Sequence, residues 1–355
     1  MLKNTRFIMI QIPAKSPQAK EVIVLVEKLQ AYFVSKLDAA SLRFGEEKCF
    51  EAVSWLRDEG RHGGGTRYES RDASVFNSAS VNVSQIHYDD DESKKLGSAT
   101  ALSTIIHPNN PHAPSMHMHI SWTQMKEGRG YWRVMADLNP SLIDESNKDK
   151  EAFLVALKKV AGVHYEEGIA QGERYFYIPV LGRHRGVSHF YLEEFNSGDF
   201  EADKTFVLAL GQSVIACYMA MVADKLLAYP TFSHEEKMRQ LDYHTLYLFQ
   251  VLTLDRGTTS GLLVHDQNDI GIMGSIPSHI NRDLLASWIE KMPSPQDLLL
   301  KSLLEVLPQT MPTPVNQETK KALATAVRRH YAGFPEALSM QASGESIPPT
   351  VANHC

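Results

Sequence analysis

Four histidines and three prolines stand within thirteen residues, His107-Pro-Asn-Asn-Pro-His112-Ala-Pro-Ser-Met-His117-Met-His119. Imidazole gains and loses its proton near neutral pH and is also the commonest metal ligand. Proline fixes backbone torsions and removes amide donors, so this stretch reads as an ordered loop that holds side chains still. His117 and His119 lie two residues apart in what reads as the following strand, which puts both on one face. Such a pair suits proton transfer. With His107 added it also suits a divalent metal, since imidazole binds zinc, copper, iron and nickel. His107 and His112, each beside a proline, read equally well as staples that hydrogen-bond the backbone.

A second group of candidates is charged. Arg133 and Asp137 fall on the same side of a strand read at Tyr131 to Asp137, by period-two counting. Asp137, ahead of Leu-Asn-Pro, also reads as a residue that closes a turn through its side chain. Arg185 ends the basic turn Gly182-Arg-His-Arg185, and Arg256 follows Asp255. The three glycines at 63 to 65 lack the following helix of a phosphate-binding loop. They read as a tight backbone path, with a mobile flap at a cleft as the preferred role.

Taken together, these stretches resemble the oxygen-dependent coproporphyrinogen III oxidases, cofactor-independent enzymes of haem biosynthesis. The pattern HPxNPHxPxxH is met from His107 to His117. Gly63-Gly-Gly-Thr-Arg67, Phe76-Asn-Ser-Ala-Ser-Val-Asn82-Val-Ser84, Ala136-Asp137-Leu-Asn-Pro140, Arg185-Gly186 and Asp255-Arg-Gly-Thr258 occur in the family's order. The resemblance implies oxidative decarboxylation of two propionate side chains to vinyl groups, with molecular oxygen as co-substrate and no obligatory cofactor. It implies His117 as proton donor, Asp137 as the acceptor of the pyrrole N–H groups and Ser103 as a substrate contact. It also suggests a homodimer.

The departures from the family pattern concern the grip on substrate. Where the family has Asn-Tyr-Arg after the active histidine, this chain has His119-Ile120-Ser121, so an arginine is lost. A triple glycine ahead of the aspartate is replaced by Arg133-Val-Met135, a Lys-His-Arg by Pro179-Val180-Leu181, and the Gly-Gly-Arg expected after Thr258 is missing. A charge-assisted contact to a buried carboxylate is worth about 1.5 to 3 kcal/mol, so losing several such contacts together argues for an altered substrate. Arg133 is the natural replacement cation, unless it pairs with Asp137 and plugs the pocket. The expected substrate-binding set is therefore Ser103, His119, Arg133, Arg185 and Arg256.

The elements that must hold these residues follow from periodicity. Ser16-Pro17 reads as an N-cap and first helical position, with Val22, Leu25, Val26, Leu29, Tyr32 and Phe33 recurring at helical spacing. A second helix is predicted over Glu46 to Asp58. Strands are predicted at Val75 to His87, Ala101 to Ile106, Met116 to Thr123 and Tyr131 to Asp137, with Asp89 to Glu92 as a solvated turn. Then come a helix at Lys148 to Val160, a strand pair at Arg174 to Val180 and Gly186 to Phe195, and a largely buried helix at Phe206 to Leu227. Ser233-His-Glu-Glu236 is a capping box. Thr245 to Leu254 has the content of a central strand, with the chain returning through Gly261 to Ile276. The expectation is an α/β (α+β) fold, a large mainly antiparallel sheet covered by helices on both faces, in one catalytic domain over 1–310. An extra helix at Thr313 to Ala332 and a mobile tail from Ser343 follow it, in a region (311–355) where the resemblance has ended.

Composition is that of an ordinary soluble enzyme: 355 residues, 43% hydrophobic, formal charge −6. Net acidity argues against nucleic acid as partner. Three scattered cysteines without a CxxC suggest reduced thiols and a cytoplasmic location. The apolar start Phe7 to Ile12 is too short for a membrane span and lacks a cleavage site. The partner implied is a tetrapyrrole or another carboxylate-bearing small molecule. The alternatives are a paralogue oxidising a different substrate, with a metal at His107, His117 and His119, and a porphyrin binder without catalysis.

Overall fold

The computed structural model describes residues 11–344 and 351–354; the start at Phe7 and the last cysteine, Cys355, lie outside them. A long helix, α1 (Pro17–Phe44), leads into six strands: β1 (Glu51–Leu56), β2 (Gly63–Glu69), β3 (Phe76–His87), β4 (Leu96–Pro108), β5 (Ser115–Met125) and β6 (Gly130–Asn139). After α2 (Asn147–Ala161), α3 (Tyr165–Tyr175) and a small hairpin of β7 (Tyr177–Ile178) and β8 (Arg183–His184), strand β9 (Ser188–Phe195) returns beside β6. The sheet order is β1-β2-β3-β4-β5-β6-β9, antiparallel throughout. The rest is mainly helical: α4 (Phe200–Ala228), α5 (His234–Thr253), α6 (Arg256–Val264), α7 (Asp269–Ile272), α8 (Arg282–Ala286), α9 (Gln296–Val306) and α10 (Gln317–Gly333), with the pair β10 (His279–Ile280) and β11 (Thr313–Pro314).

Alternation decides which face of the sheet is closed. Val81 and Val83, Leu102 and Ile106, Met116, Met118 and Ile120, and Trp132, Val134, Ala136 and Leu138 all point to one side, where α1, α2 and α4 bury them in a single core. Helix α1 starts as its sequence predicts, with the Ser16 hydroxyl accepting from the Ala19 N–H at 3.1 Å. Helix α4 is apolar on most faces, and by length and composition alone it could cross a membrane; here it packs against α1, α2 and β5. A second core, on the opposite side of the sheet, is built by α5 to α10.

Several expected elements differ. Residues 51–56 are the edge strand β1, half-buried, so its sequence carries little alternation to read. Of the strand expected at Arg174 to Val180, only Tyr177–Ile178 (β7) is extended; α3 runs to Tyr175 and a helical turn begins at Pro179. Thr245 to Leu254 is the interior of α5, which opens at the Ser233–Glu236 capping box and buries every residue from Tyr243 to Thr253. A helix buried all round has the same composition as a central strand, and periodicity cannot separate them. Gly261 to Ile276 is helical, spanning the end of α6 and α7. The glycines at 63–65 are not a flap: they lie within β2, where Gly64 and Gly65 pair with β1 and β3 and Gly63 pairs with β3. A Cβ at Gly65 would meet the Val83 carbonyl at 2.3 Å and Trp55 Nε1 at 2.9 Å, so only glycine lets the neighbouring strand and Trp55 approach this closely. The described parts of the expected mobile tail are tied down, as by the Gly344 N–H to Glu193 Oε2 bond of 3.0 Å.

Candidate active site

The open face of the sheet forms the floor of a cleft of about 300 Å³, roofed by α5, α6 and α7. Register across the strands arranges the floor in three rows. One runs Glu69, Ser80, Ile105, His117, Asp137, His189; the next Arg67, Asn82, Ser103, His119, Met135, Tyr191; the third Gly65, Ser84, Ala101, Ser121, Arg133. The period of two that hides apolar residues on one side therefore delivers serines, asparagine, histidines and an arginine to the other.

His117 and Asp137 are direct cross-strand partners, and His117 Nδ1 lies 2.7 Å from Asp137 Oδ1. Asp137 is fully buried; its Oδ2 accepts from Arg185 Nη2 at 2.6 Å and from Asn139 Nδ2 at 2.6 Å. Burial opposes ionisation of this carboxyl, but Arg185 and His117 outweigh it and hold the group far below the usual carboxylate range. Arg185 is in turn kept charged: burial works against it and Asp137 overcomes the burial. Its guanidinium sits over Phe176 and Tyr247, 4.5 and 4.9 Å from the ring centroids, and donates to Gln250 Oε1 at 2.6 Å. An ionised carboxylate only accepts, so His117 Nδ1 carries the proton and Nε2 is the nitrogen left for the cleft.

His119, one turn of the pleat away, bridges two serines: Nδ1 to Ser103 Oγ and Nε2 to Ser121 Oγ, both 2.9 Å. Burial, with His117 and Arg133 nearby, lowers its pKa to about 3. It is a neutral ring that donates to one serine and accepts from the other. His107 also lies at about 3, mainly through burial. Its Nε2 faces the Ser275 carbonyl at 3.1 Å and must donate, while Nδ1 accepts from Ser115 Oγ at 2.8 Å. His112 pairs with Glu236 at 2.9 Å and stacks on Tyr229 at 4.0 Å. Both read as staples fastening the loop to the helical layer.

The structure thus separates the candidates. His117, His119, Ser103, Arg133, Arg185 and Arg256 all line one cleft. Asp137 lies behind His117, with both carboxylate oxygens engaged, so the pyrrole-accepting position implied by the family resemblance is not open to it in this arrangement. The metal reading fails geometrically: among the described residues no three His, Cys, Asp or Glu side chains converge on one point. His107 and His119 spend their nitrogens on hydrogen bonds. Arg133 does not plug the site through Asp137, whose cationic partner is Arg185.

Other members of the site were not anticipated. Tyr247 lines the cleft and Gln250 anchors Arg185, and both come from α5, the helix whose sequence reads as a strand. Asn139 was within the Leu-Asn-Pro motif but without a role. Arg256 is ion-paired to Glu193, which also accepts from the Tyr191 hydroxyl at 2.7 Å. The Asp255 motif has a structural cause: its Oδ1 caps α6 by accepting from the Thr258 N–H at 2.6 Å, and Oδ2 accepts from the Tyr175 hydroxyl at 3.0 Å.

Comparison with known proteins agrees with this layout. The chain is 28% identical over 284 residues to a human protein named oxygen-dependent coproporphyrinogen-III oxidase, mitochondrial, covering 73% of this chain and 60% of that one. It is 27% identical over 251 residues to the oxygen-dependent coproporphyrinogen-III oxidase of Rickettsia akari (strain Hartford), covering 67% and 88%. The Drosophila melanogaster enzyme of the same name is 28% identical over 283 residues, covering 72% and 70%. The chain therefore spans about 60% of the human relative's length. The family model described as coproporphyrinogen III oxidase matches residues 21–305, most of the chain, and the chain belongs to that family.

Proposed function

We propose that this protein is an oxygen-dependent oxidoreductase that converts propionate side chains of coproporphyrinogen III to vinyl groups. One observation carries the reading: a histidine with one nitrogen turned to a polar cleft and the other fixed by a buried, ionised Asp137–Arg185 pair. Asp137 sets the tautomer and orientation of the ring. His117 Nε2 can then take a proton from substrate or return one. Arg133, Arg185 and Arg256 line the cleft and supply donors for carboxylates, with Arg185 and Arg256 each balanced by a buried carboxylate, Asp137 and Glu193. The serines of the floor supply uncharged hydrogen bonds. In this reading each propionic acid group loses CO2 and gives up two electrons with two protons to molecular oxygen, leaving a vinyl group and hydrogen peroxide, so no side chain of the floor changes oxidation state.

A second reading, a family member acting on a different carboxylate-bearing substrate, is favoured by one feature. At the position where the resemblance implies a gripping arginine, Ser121 is held by the neutral His119 ring. One experiment tests the first reading against it: purified protein is supplied with coproporphyrinogen III in air and under nitrogen. Oxygen uptake with formation of protoporphyrinogen, absent under nitrogen, is the expected result. No uptake with a folded protein rejects it.

A further inference from the structure

The family match ends at residue 305, but the cleft does not. Two of its lining residues, Asn353 and His354, come from the last described turn of the chain. His354 Nδ1 lies 3.3 Å from the Tyr88 hydroxyl, and its ring centroid is 5.9 Å from that of Tyr88 and 5.6 Å from that of His265. Tyr88 also accepts from Arg57 Nη2 at 2.7 Å, and Arg57 bonds His265. Side chains from the ends of β1 and β3, from the exit of α6 and from the extension thus meet beside Trp55, itself a lining residue. Burial, reinforced by Arg57 and Lys94, holds His354 at about 4, so this end of the cleft gains no charge from it at neutral pH.

The same extension reaches the cleft at a second place. The Ala342 N–H donates to the Leu254 carbonyl at 2.9 Å, the Gly344 N–H to Glu193 Oε2 at 3.0 Å, and Arg174 Nε to the Gly344 carbonyl at 2.7 Å. Glu193 is the ion-pair partner of Arg256, and Arg256 donates to the Ala342 carbonyl as well. Ahead of both segments in the chain, α10 lies on the roof, where Arg328 Nε donates to the Leu262 carbonyl at 2.7 Å and pairs with Asp269. Packing on α6, α7 and α9 alone would make α10 a stabilising cap. Contacts with Arg256 and with the cleft wall go further than that.

We propose that two described segments beyond residue 305, residues 341–344 and Asn353–His354, are working parts of the cleft in this protein. Residues 341–344 orient Arg256 through Glu193, and Asn353 and His354 wall off the Trp55 end, so that the extension governs how fast carboxylate-bearing ligands enter and how well they are held. The proposal rests on the tetrapyrrole reading only for its choice of probe.

The test uses the full chain carrying N353A and H354A together. Of the four tryptophans, Trp122, Trp132 and Trp288 are 4%, 0% and 8% exposed, so acrylamide quenching reports chiefly on Trp55. If one ordinary hydrogen bond and its ring contacts hold the wall, its loss raises the open population by about two- to tenfold. Quenching should rise, and stopped-flow association of coproporphyrin III should quicken by a similar factor, with the thermal midpoint little changed. Quenching and association both unchanged would overturn the wall. A second variant, Gly344→Val, tests the latch, because a Cβ there would meet Glu193 Oε2 at 2.9 Å and Gln171 Oε1 at 3.1 Å. It should speed dissociation of coproporphyrin III and leave Trp55 quenching as in the wild type; an unchanged dissociation rate would overturn the latch. If the wild type binds no porphyrin, the tetrapyrrole reading falls, and the quenching comparison still decides the wall.

Discussion

On one face of the sheet, Met116, Met118, Ile120 and Trp122 of β5 are sealed beneath α1 and α4; on the other, His117, His119, Ser121 and Thr123 of the same strand line the cleft. Adjacent residues thus answer to different demands. The closed face asks for volume and apolarity, which many sequences supply. The cleft face asks for particular protonation states and hydrogen-bond directions, and it sets them by register, pairing His117 with Asp137 and Ser103 with His119. A one-residue slip would exchange the two faces entirely.

The widest separation between the faces should appear in neighbouring β5 variants. His117→Ala removes the group turned to the cleft, and turnover of coproporphyrinogen should fall by about 10²- to 10⁴-fold, the usual weight of a general acid–base group, with little loss of stability. Ile120→Ala on the closed face should cost about 2 to 5 kcal/mol in urea unfolding and leave coproporphyrin affinity as it was. Equal loss of affinity in both variants would mean that the faces are coupled and that the comparison is mistaken.

Asp137 sits where the two demands meet, since it is buried like a core residue and charged like a site residue. Asp137→Ala would strand the Arg185 guanidinium, so a stability loss of about 3 to 5 kcal/mol is expected on top of the loss of turnover. The double variant Asp137→Ala/Arg185→Ala should cost clearly less than the two single losses added. Additive losses in denaturant titrations would deny that the pair acts as a unit.

Legibility in the sequence followed the same division. Strands β3 to β6 could be read because alternation is strong wherever one face is closed and the other polar. Counting twos put His117 with His119 on one side of β5 and Arg133 with Asp137 on one side of β6, and the register brings both pairs to the same face. The roof could not be read. Tyr247 and Gln250 lie in a helix buried on every side, whose aromatic and β-branched content imitates a strand. The ion pair of Arg185 with Asp137 joins residues 48 apart in the chain, and that of Arg256 with Glu193 joins residues 63 apart. No local pattern announces either pair. The part of the cleft built by Asn353 and His354 lies beyond any family motif, where only packing shows it.

Arg133 sharpens the comparison within the cleft face itself. Asp137 is taken by Arg185, so Arg133 does not plug the site through it, and Arg133 lines the cleft where a carboxylate would enter. Arg133→Ala should weaken coproporphyrin binding by about ten- to a hundredfold, the equivalent of about 1.5 to 3 kcal/mol for a charge-assisted contact. Fluorescence titration reads this directly, and tighter binding in the variant would restore the plug.

The mildest test uses pH. His107 and His119 both have folded pKa values lowered to about 3, against about 6.5 for an unfolded histidine. As pH falls, the unfolded chain takes up these protons before the folded one does. Their contribution to stability is therefore complete above about pH 6.5 and erodes between about 6.5 and about 3, by up to about 1.4 kcal/mol per pH unit for each group. Asp137, shifted downward, has a stabilising effect that persists until the pH falls below the ordinary carboxylate range, so it does not confuse the upper part of this window. Urea unfolding should show stability falling from about pH 6.5 to about pH 5, and His119→Gln should remove one histidine's share of that slope. An unaltered slope would mean that His119 is charged in the folded state. The neutral bridge between Ser103 and Ser121 would then be a cation, and the cleft would hold the positive charge that its sequence departures seemed to have removed.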